Sequence, residues 1–170
     1  MKRAKIALIT VLVIVAICTT ACGSSSNHNP MSTPALIPGF TTYTNSSLGF
    51  SIAVPDSWGI TPNADLGFIL FSSHELCSGG VPGAEVMKQD SDEDLQSQYQ
   101  RSKRTAEFFI EDYAFISDES TEIDGISAMS FVYTGVSLSG TPFQTMNIDL
   151  IYEQTWWNLT FSCSQACWST

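Results

Sequence analysis

The chain has 170 residues, of which 44% are hydrophobic and 11% aromatic, a composition typical of a globular protein and not of a disordered one. Seventeen acidic residues against seven Lys and Arg give a formal net charge of −10. This balance argues against nucleic acid as a partner, because phosphates require basic surfaces, and against electrostatic adsorption to anionic lipids.

The N-terminal segment is typical of an export signal. Basic residues between positions 2 and 5 precede an apolar run over 6–17, and the segment ends at Thr-Thr-Ala-Cys, residues 19–22. The apolar run is about a dozen residues long, whereas a transmembrane helix needs about 20. We therefore predict a signal peptide over residues 1–21 and lipidation of Cys22, with a palmitate-type anchor. Ordinary signal peptidase cleavage after Ala21 is the alternative.

Residues 22–38 are predicted to be the lipidated cysteine and a flexible tether, because GSSSNHNPMSTPALIP is small, polar, rich in proline and without periodicity. A single domain is predicted over residues 39–170. Its alternating apolar residues and turn residues predict strands over 40–44, 50–54, 67–71, 84–88, 114–123, 126–134, 143–152 and 157–163. Asp124-Gly125 is a strong hairpin signal, and the last four strands predict an antiparallel meander.

One helix is predicted, beginning at Ser91. Ser91 and Asp94 have the spacing of a capping box. The residues expected on its buried stripe are Leu95, Tyr99, Ser102, Ala106, Phe109 and Tyr113, whereas Gln98, Arg101 and Arg104 are expected to face solvent. The fold class expected is α+β: an antiparallel sheet meander packed by one or more helices.

Three segments together resemble PsbP-like domain lipoproteins of the bacterial cell envelope. They are Tyr43–Trp58 (YTNSSLGFSIAVPDSW), Asp124–Ala128 (DGISA), and Phe143–Phe161 with its WNLTF strand. The resemblance implies an α-β-α sandwich and assembly or protein-binding work without turnover. Such domains usually end in a helix on the sheet. The sequence after Cys163 leaves little room for one, so either one sheet face is bare or the chain is truncated.

The cysteines leave two chemistries open. With Cys18 in the signal and Cys22 lipidated, Cys77, Cys163 and Cys167 remain, and one disulfide with one free thiol is the favoured outcome, its pairing undetermined. The alternative is a Cys₃His zinc site that adds His74 to the three thiolates. No cofactor and no catalytic residue is predicted, because the sequence has no G-x-S-x-G, H-E-x-x-H or phosphate-binding glycine pattern.

An aromatic residue supplies the predicted interface. Trp156 and Trp157 are adjacent on a strand and must point to opposite faces, so Trp156 is expected outside if Trp157 is inside. The sequence therefore predicts an extracytoplasmic lipoprotein, held at the membrane by lipid on Cys22. It is predicted to act as a non-catalytic binding or assembly module for an envelope protein, without enzyme activity. The alternatives are a metal- or thiol-bearing envelope protein and a small-ligand carrier.

Overall fold

A computed structural model describes residues 15–16 (backbone only), 37–63, 67–75 and 80–168. Cys22, Cys77 and most of the predicted signal and tether lie outside these residues. The strands are β1 Val15–Ala16, β2 Phe40–Asn45, β3 Phe50–Pro55, β4 Trp58–Asn63, β5 Phe68–Ser73, β6 Gly83–Asp90, β7 Glu111–Ile123, β8 Ile126–Val136, β9 Pro142–Tyr152 and β10 Thr155–Ser164. The helix is α1, Leu95–Phe109.

The strands form two antiparallel sheets. The small sheet has the order β1-β3-β2, and the large sheet has the order β4-β5-β6-β10-β9-β8-β7. The main core lies where β3 meets one face of the large sheet, and Phe50, Phe71 and Trp157 are among its buried members. The period-two alternation of strand side chains places this apolar set on one face.

The opposite face of the large sheet carries α1, which packs on β7, β8 and β9. Tyr99 of the helix meets Phe131 and Tyr133 of β8 there in a second, smaller core. The ring centroids of Tyr99 and Phe131 are 5.7 Å apart in an edge-on arrangement, which suits the aromatic quadrupoles. The helix thus covers only one side of this face.

The expected α-β-α sandwich, and with it the α+β class, is wrong. Within the described residues α1 is the only helix, and ten strands in two antiparallel sheets make the fold β-rich. The hairpin of β2 and β3 covers the face where a helical layer was expected, because its alternating pattern lays Phe50, Ile52 and Val54 onto the large sheet. At the end of the described chain, Gln165–Trp168 form turns and not a helix.

The predicted meander is confirmed. Strands β7 to β10 are neighbours in chain order, and Asp124 and Gly125 both have positive φ, 51° and 77°, as a tight two-residue hairpin requires. Strand β4 was not predicted, and it contains Pro62, a residue that is rare within strands. Strand β4 lies at the edge of the large sheet, where strands tolerate a proline that has no N–H to donate.

The helix was placed correctly in the chain but not in its details. It begins after Asp94, whose Oδ1 accepts the Ser97 N–H at 2.7 Å, and not at Ser91. Gln98 is buried and Phe109 is exposed, the reverse of the predicted stripe. No helix in the described part of the chain combines the length and apolar character needed to span a bilayer.

Candidate functional site

A buried carboxylate joins α1 to the sheet. Asp149 of β9 has no exposed surface, and its Oδ1 accepts hydrogen bonds from Ser102 Oγ at 3.0 Å, Trp156 Nε1 at 2.8 Å and Asn158 Nδ2 at 2.8 Å. Ser102 belongs to α1, and Trp156 and Asn158 belong to β10. One carboxylate oxygen therefore connects three elements.

The electrostatics of Asp149 indicate a positioning role and not catalysis. Burial raises the pKa of the Asp149 carboxyl, and the hydrogen bonds from Asn158, Trp156 and Ser102 oppose that rise by favouring the carboxylate. Its Oδ2 accepts no hydrogen bond from the described residues. A general acid or base must come within hydrogen-bond reach of its substrate. With no exposed surface, Asp149 is better suited to hold α1 in place.

The polar side chains beside Asp149 satisfy one another. Asn158 Nδ2 donates to Asn147 Oδ1 at 2.7 Å, Asn147 Nδ2 donates to Thr160 Oγ1 at 3.1 Å, and Thr160 Oγ1 donates to Asn158 Oδ1 at 3.0 Å. This closed ring lies on adjacent residues of β9 and β10. Paired side chains of this kind stabilise the strand pair without requiring a ligand.

A second set of contacts fixes α1 against the edge strand β7. Tyr99 Oη donates to Asp118 Oδ2 at 2.5 Å, and Lys103 Nζ lies 3.4 Å from the same oxygen. Lys103 Nζ also lies 3.7 Å from the centroid of the Phe115 ring, a cation–π contact. The hydrogen bond from Tyr99 is the main reason that the pKa of Asp118 is lowered. These contacts hold the position of β7 relative to the helix.

The most exposed aromatic side chains of the described chain lie where α1 passes into β7. Phe108 is 82% exposed, Phe109 is 74% exposed, and their rings are in edge-on contact with centroids 4.9 Å apart. Phe115 and Ile116 follow on β7 with 44% and 50% of their surface exposed. We call these four residues the α1–β7 surface. The contact between the Phe108 and Phe109 rings makes this pair an exposed apolar patch, and exposed apolar patches mark interaction sites in soluble domains.

The predicted interface residue Trp156 lies elsewhere. It faces the side of the sheet that carries α1, opposite to Trp157, as predicted from their adjacency. Trp156 is only half-buried, but its indole N–H is bound to Asp149. It therefore helps to support α1, and its availability to a partner remains a prediction.

The structure describes two of the three cysteines on which the predicted disulfide and zinc site depend. Cys163 on β10 is a free thiol whose pKa is raised by burial, and Cys167 is disulfide-bonded. Cys77 lies outside the described residues. His74 packs against Gly59 at the β4 edge, whereas Cys163 lies on the central strand of the large sheet. Among the described residues, no group of three or more His, Cys, Asp and Glu side chains is placed to hold a metal.

Sequence reasoning missed the α1–β7 surface because it assigned Phe109 to the buried stripe. A usable signal was present, since Phe108 falls off the stripe that Tyr99, Ser102 and Ala106 define. A large aromatic residue off the stripe, next to a second one at the helix end, is unusual for a solvated helix face. Nothing local in the sequence distinguishes Asp149 from the other sixteen acidic residues.

Comparison with known proteins places the fold but not the function. No protein-family model and no curated protein matches the chain. Among solved structures, PA94 of Pseudomonas aeruginosa, a protein of unknown function, is similar with a TM-score of 0.54 at 15% identity, over 75% of this chain and 84% of that one. Cyanobacterial PsbP (CyanoP) of Synechocystis sp. PCC 6803 is similar with a TM-score of 0.53 at 14% identity, over 85% of this chain and 86% of that one. At this identity the likeness shows the fold alone, which is PsbP-like.

Proposed function

We propose that this protein is a membrane-anchored extracytoplasmic lipoprotein that acts as a non-catalytic protein-binding or assembly module. The α1–β7 surface is the observation that carries the binding role. Burying a Phe side chain contributes roughly 1.5–3 kcal/mol, so Phe108 and Phe109 could together supply much of the energy of a specific complex. The lipid on Cys22 holds the domain at the membrane, and the partner is a protein of the cell envelope.

The arrangement around the surface supports this role. Phe108 and Phe109 end a helix that Asp149, Tyr99 and Lys103 hold against the sheet. Aromatic groups presented on a rigid element lose little conformational entropy when they bind. A carrier of small ligands would instead need a concave apolar site that encloses its ligand, whereas Phe108 and Phe109 are largely exposed.

Photo-crosslinking tests the binding role. A photoreactive p-benzoylphenylalanine at position 108 of the full chain, irradiated in the native host, is expected to give one defined crosslinked product of higher mass. The matched control carries the same group at Ile60, an apolar residue that is 41% exposed on β4 at the opposite edge of the sheet. Equal products at both positions, or none at position 108, would contradict a binding role for the α1–β7 surface.

Substitution of Cys22 tests the anchor. The full chain is expected to enter the detergent-rich phase in a Triton X-114 partition, because a lipidated cysteine binds bilayers and micelles strongly. Cys22→Ser is expected to leave the chain unlipidated and to abolish incorporation of labelled palmitate. Retention of the label in Cys22→Ser would show that the lipid is attached elsewhere, and absence of the label from the unchanged chain would refute the lipoprotein assignment.

A further inference from the structure

The two edges of the large sheet differ in their capacity to accept another strand. The β4 edge is six residues long and contains Pro62, a residue that blunts edges because it has no N–H to donate. The β7 edge is 13 residues long and has no proline. Only Ile123 of β7 is buried. Of the two edges of the large sheet, the β7 edge is therefore the open one.

The backbone geometry identifies which part of β7 is usable. Register shifts interrupt its pairing with β8 between Glu111 and Ser117, whereas the pairing from Ser117 to Ile123 is continuous. Residues that flank a tight two-residue hairpin exchange both backbone hydrogen bonds, and the pattern alternates from there. Counting back from Ile123, the N–H and C=O groups of Asp118, Ser120 and Glu122 point away from β8.

The charges on this edge select the occupant. Glu119 and Glu122 are exposed, on opposite faces of the strand. A second copy of the chain pairing at the same edge would place acidic side chains opposite acidic ones, which is destabilising, whereas opposite charges across a strand pair are stabilising. The net charge of −10 adds to the repulsion between copies. A strand with basic side chains would instead place opposite charges across the pair.

We infer that the β7 edge between Ser117 and Glu122 binds an extended basic segment of the protein partner by strand addition. The inference rests on the proposed binding function and names the partner's chemistry. Backbone hydrogen bonds to Ser120 and Glu122, and to the C=O of Asp118, supply the general affinity, and basic side chains opposite Glu119 and Glu122 supply the selectivity. Phe115 and Ile116 are exposed on the same strand, nearer to its start, where the chain leaves α1.

A defined peptide tests the inference on the full chain in detergent. The probe is a short Thr/Val peptide with two lysines three residues apart, matching the spacing of Glu119 and Glu122, and its control has two glutamates instead. Fluorescence anisotropy is expected to show about tenfold tighter binding of the lysine peptide, since two cross-strand charge pairs change sign. Glu119→Lys/Glu122→Lys is expected to reverse the preference.

Backbone chemistry separates strand addition from simple charge attraction. N-methyl groups on the alternate peptide nitrogens that face β7 are expected to abolish binding, whereas N-methyl groups on the intervening nitrogens are tolerated. Ser120→Pro removes one outward N–H without removing a bond to β8 and is expected to abolish binding, while Ser120→Ala retains it.

Equal binding of both N-methylated peptides would overturn strand addition, and the crosslink at position 108 reports independently on the proposed function. A full-chain dimer that Ser120→Pro dissociates would assign the edge to a second copy and would also overturn the inference.

Discussion

Asp149→Leu is expected to lower the free energy of unfolding by about 3 kcal/mol, because it leaves three hydrogen-bond donors without their shared acceptor. Ser102 Oγ, Trp156 Nε1 and Asn158 Nδ2 all donate to Asp149 Oδ1, and leucine offers them nothing. The loss includes the contact that joins α1 to the sheet, so the helix should be affected first. Urea unfolding followed by circular dichroism measures the change.

Asp149→Asn is the matched variant. An asparagine keeps the acceptor oxygen for the three donors, but it places an amide N–H₂ without an acceptor where Oδ2 lies, so its loss of stability is expected to be clearly smaller than that of Asp149→Leu. A loss in Asp149→Asn as large as that in Asp149→Leu would show that Oδ1 is not the atom that matters.

The difference in free energy of unfolding between the unchanged protein and Asp149→Asn is expected to change with pH in a defined direction. Burial raises the pKa of Asp149 in the folded protein above its unfolded value of about 3.9. The folded state therefore holds a proton that the unfolded state releases, and this group's contribution to the free energy of unfolding falls as the pH rises from the unfolded pKa through the folded pKa. Asp149→Asn lacks this contribution. The free energy of unfolding of Asp149→Asn relative to that of the unchanged protein should thus rise with pH over that window and then level off; a flat or opposite change would refute the raised pKa.

The strands could be predicted because their signal is local. Alternation of apolar and polar residues needs only a few neighbours to be recognised, and the Asp124-Gly125 turn adds its own backbone requirement. The pairing of β6 with β10 is different, because it joins residues about 70 positions apart in the chain. The fold class was wrong for the same reason, since the placement of the β2–β3 hairpin over the sheet is a long-range packing outcome.

The helix shows where residue type misleads. Gln98 was expected to face solvent and is buried. Ser102, which was expected on the buried stripe, does face the sheet, where β9 and β10 present Asp149 and Asn158. A polar sheet face reverses the usual assignment of polar residues to solvent. Phe109 lies seven residues after Ser102, about two helical turns, and therefore on the same side of the helix. As the last residue of α1 it is nevertheless exposed. The exposure of Phe109 depends on its tertiary surroundings and could not be derived from α1 alone, whereas the position of Phe108 off the stripe could be recognised from the sequence.

Gly135→Ala is expected to destabilise the fold by about 3 kcal/mol, the upper part of the range for overpacked sites. A Cβ at Gly135 would lie 2.1 Å from Ile110 Cγ2, 3.0 Å from Phe143 Cζ and 3.1 Å from the backbone oxygen of Glu111. Ile110 and Glu111 connect α1 to β7, so relief of the clash must displace the connection that carries Phe108 and Phe109.

Thermal unfolding of Gly135→Ala, Ile110→Ala and the double variant tests this. Because Ile110→Ala removes the nearest atom, the double variant is expected to be more stable than the sum of the two single losses by at least about 1 kcal/mol. Additive losses would show that the clash with Ile110 Cγ2 is not the cause of the destabilisation. If the connection between α1 and β7 positions the α1–β7 surface, the crosslink at position 108 should weaken in Gly135→Ala and recover in the double variant.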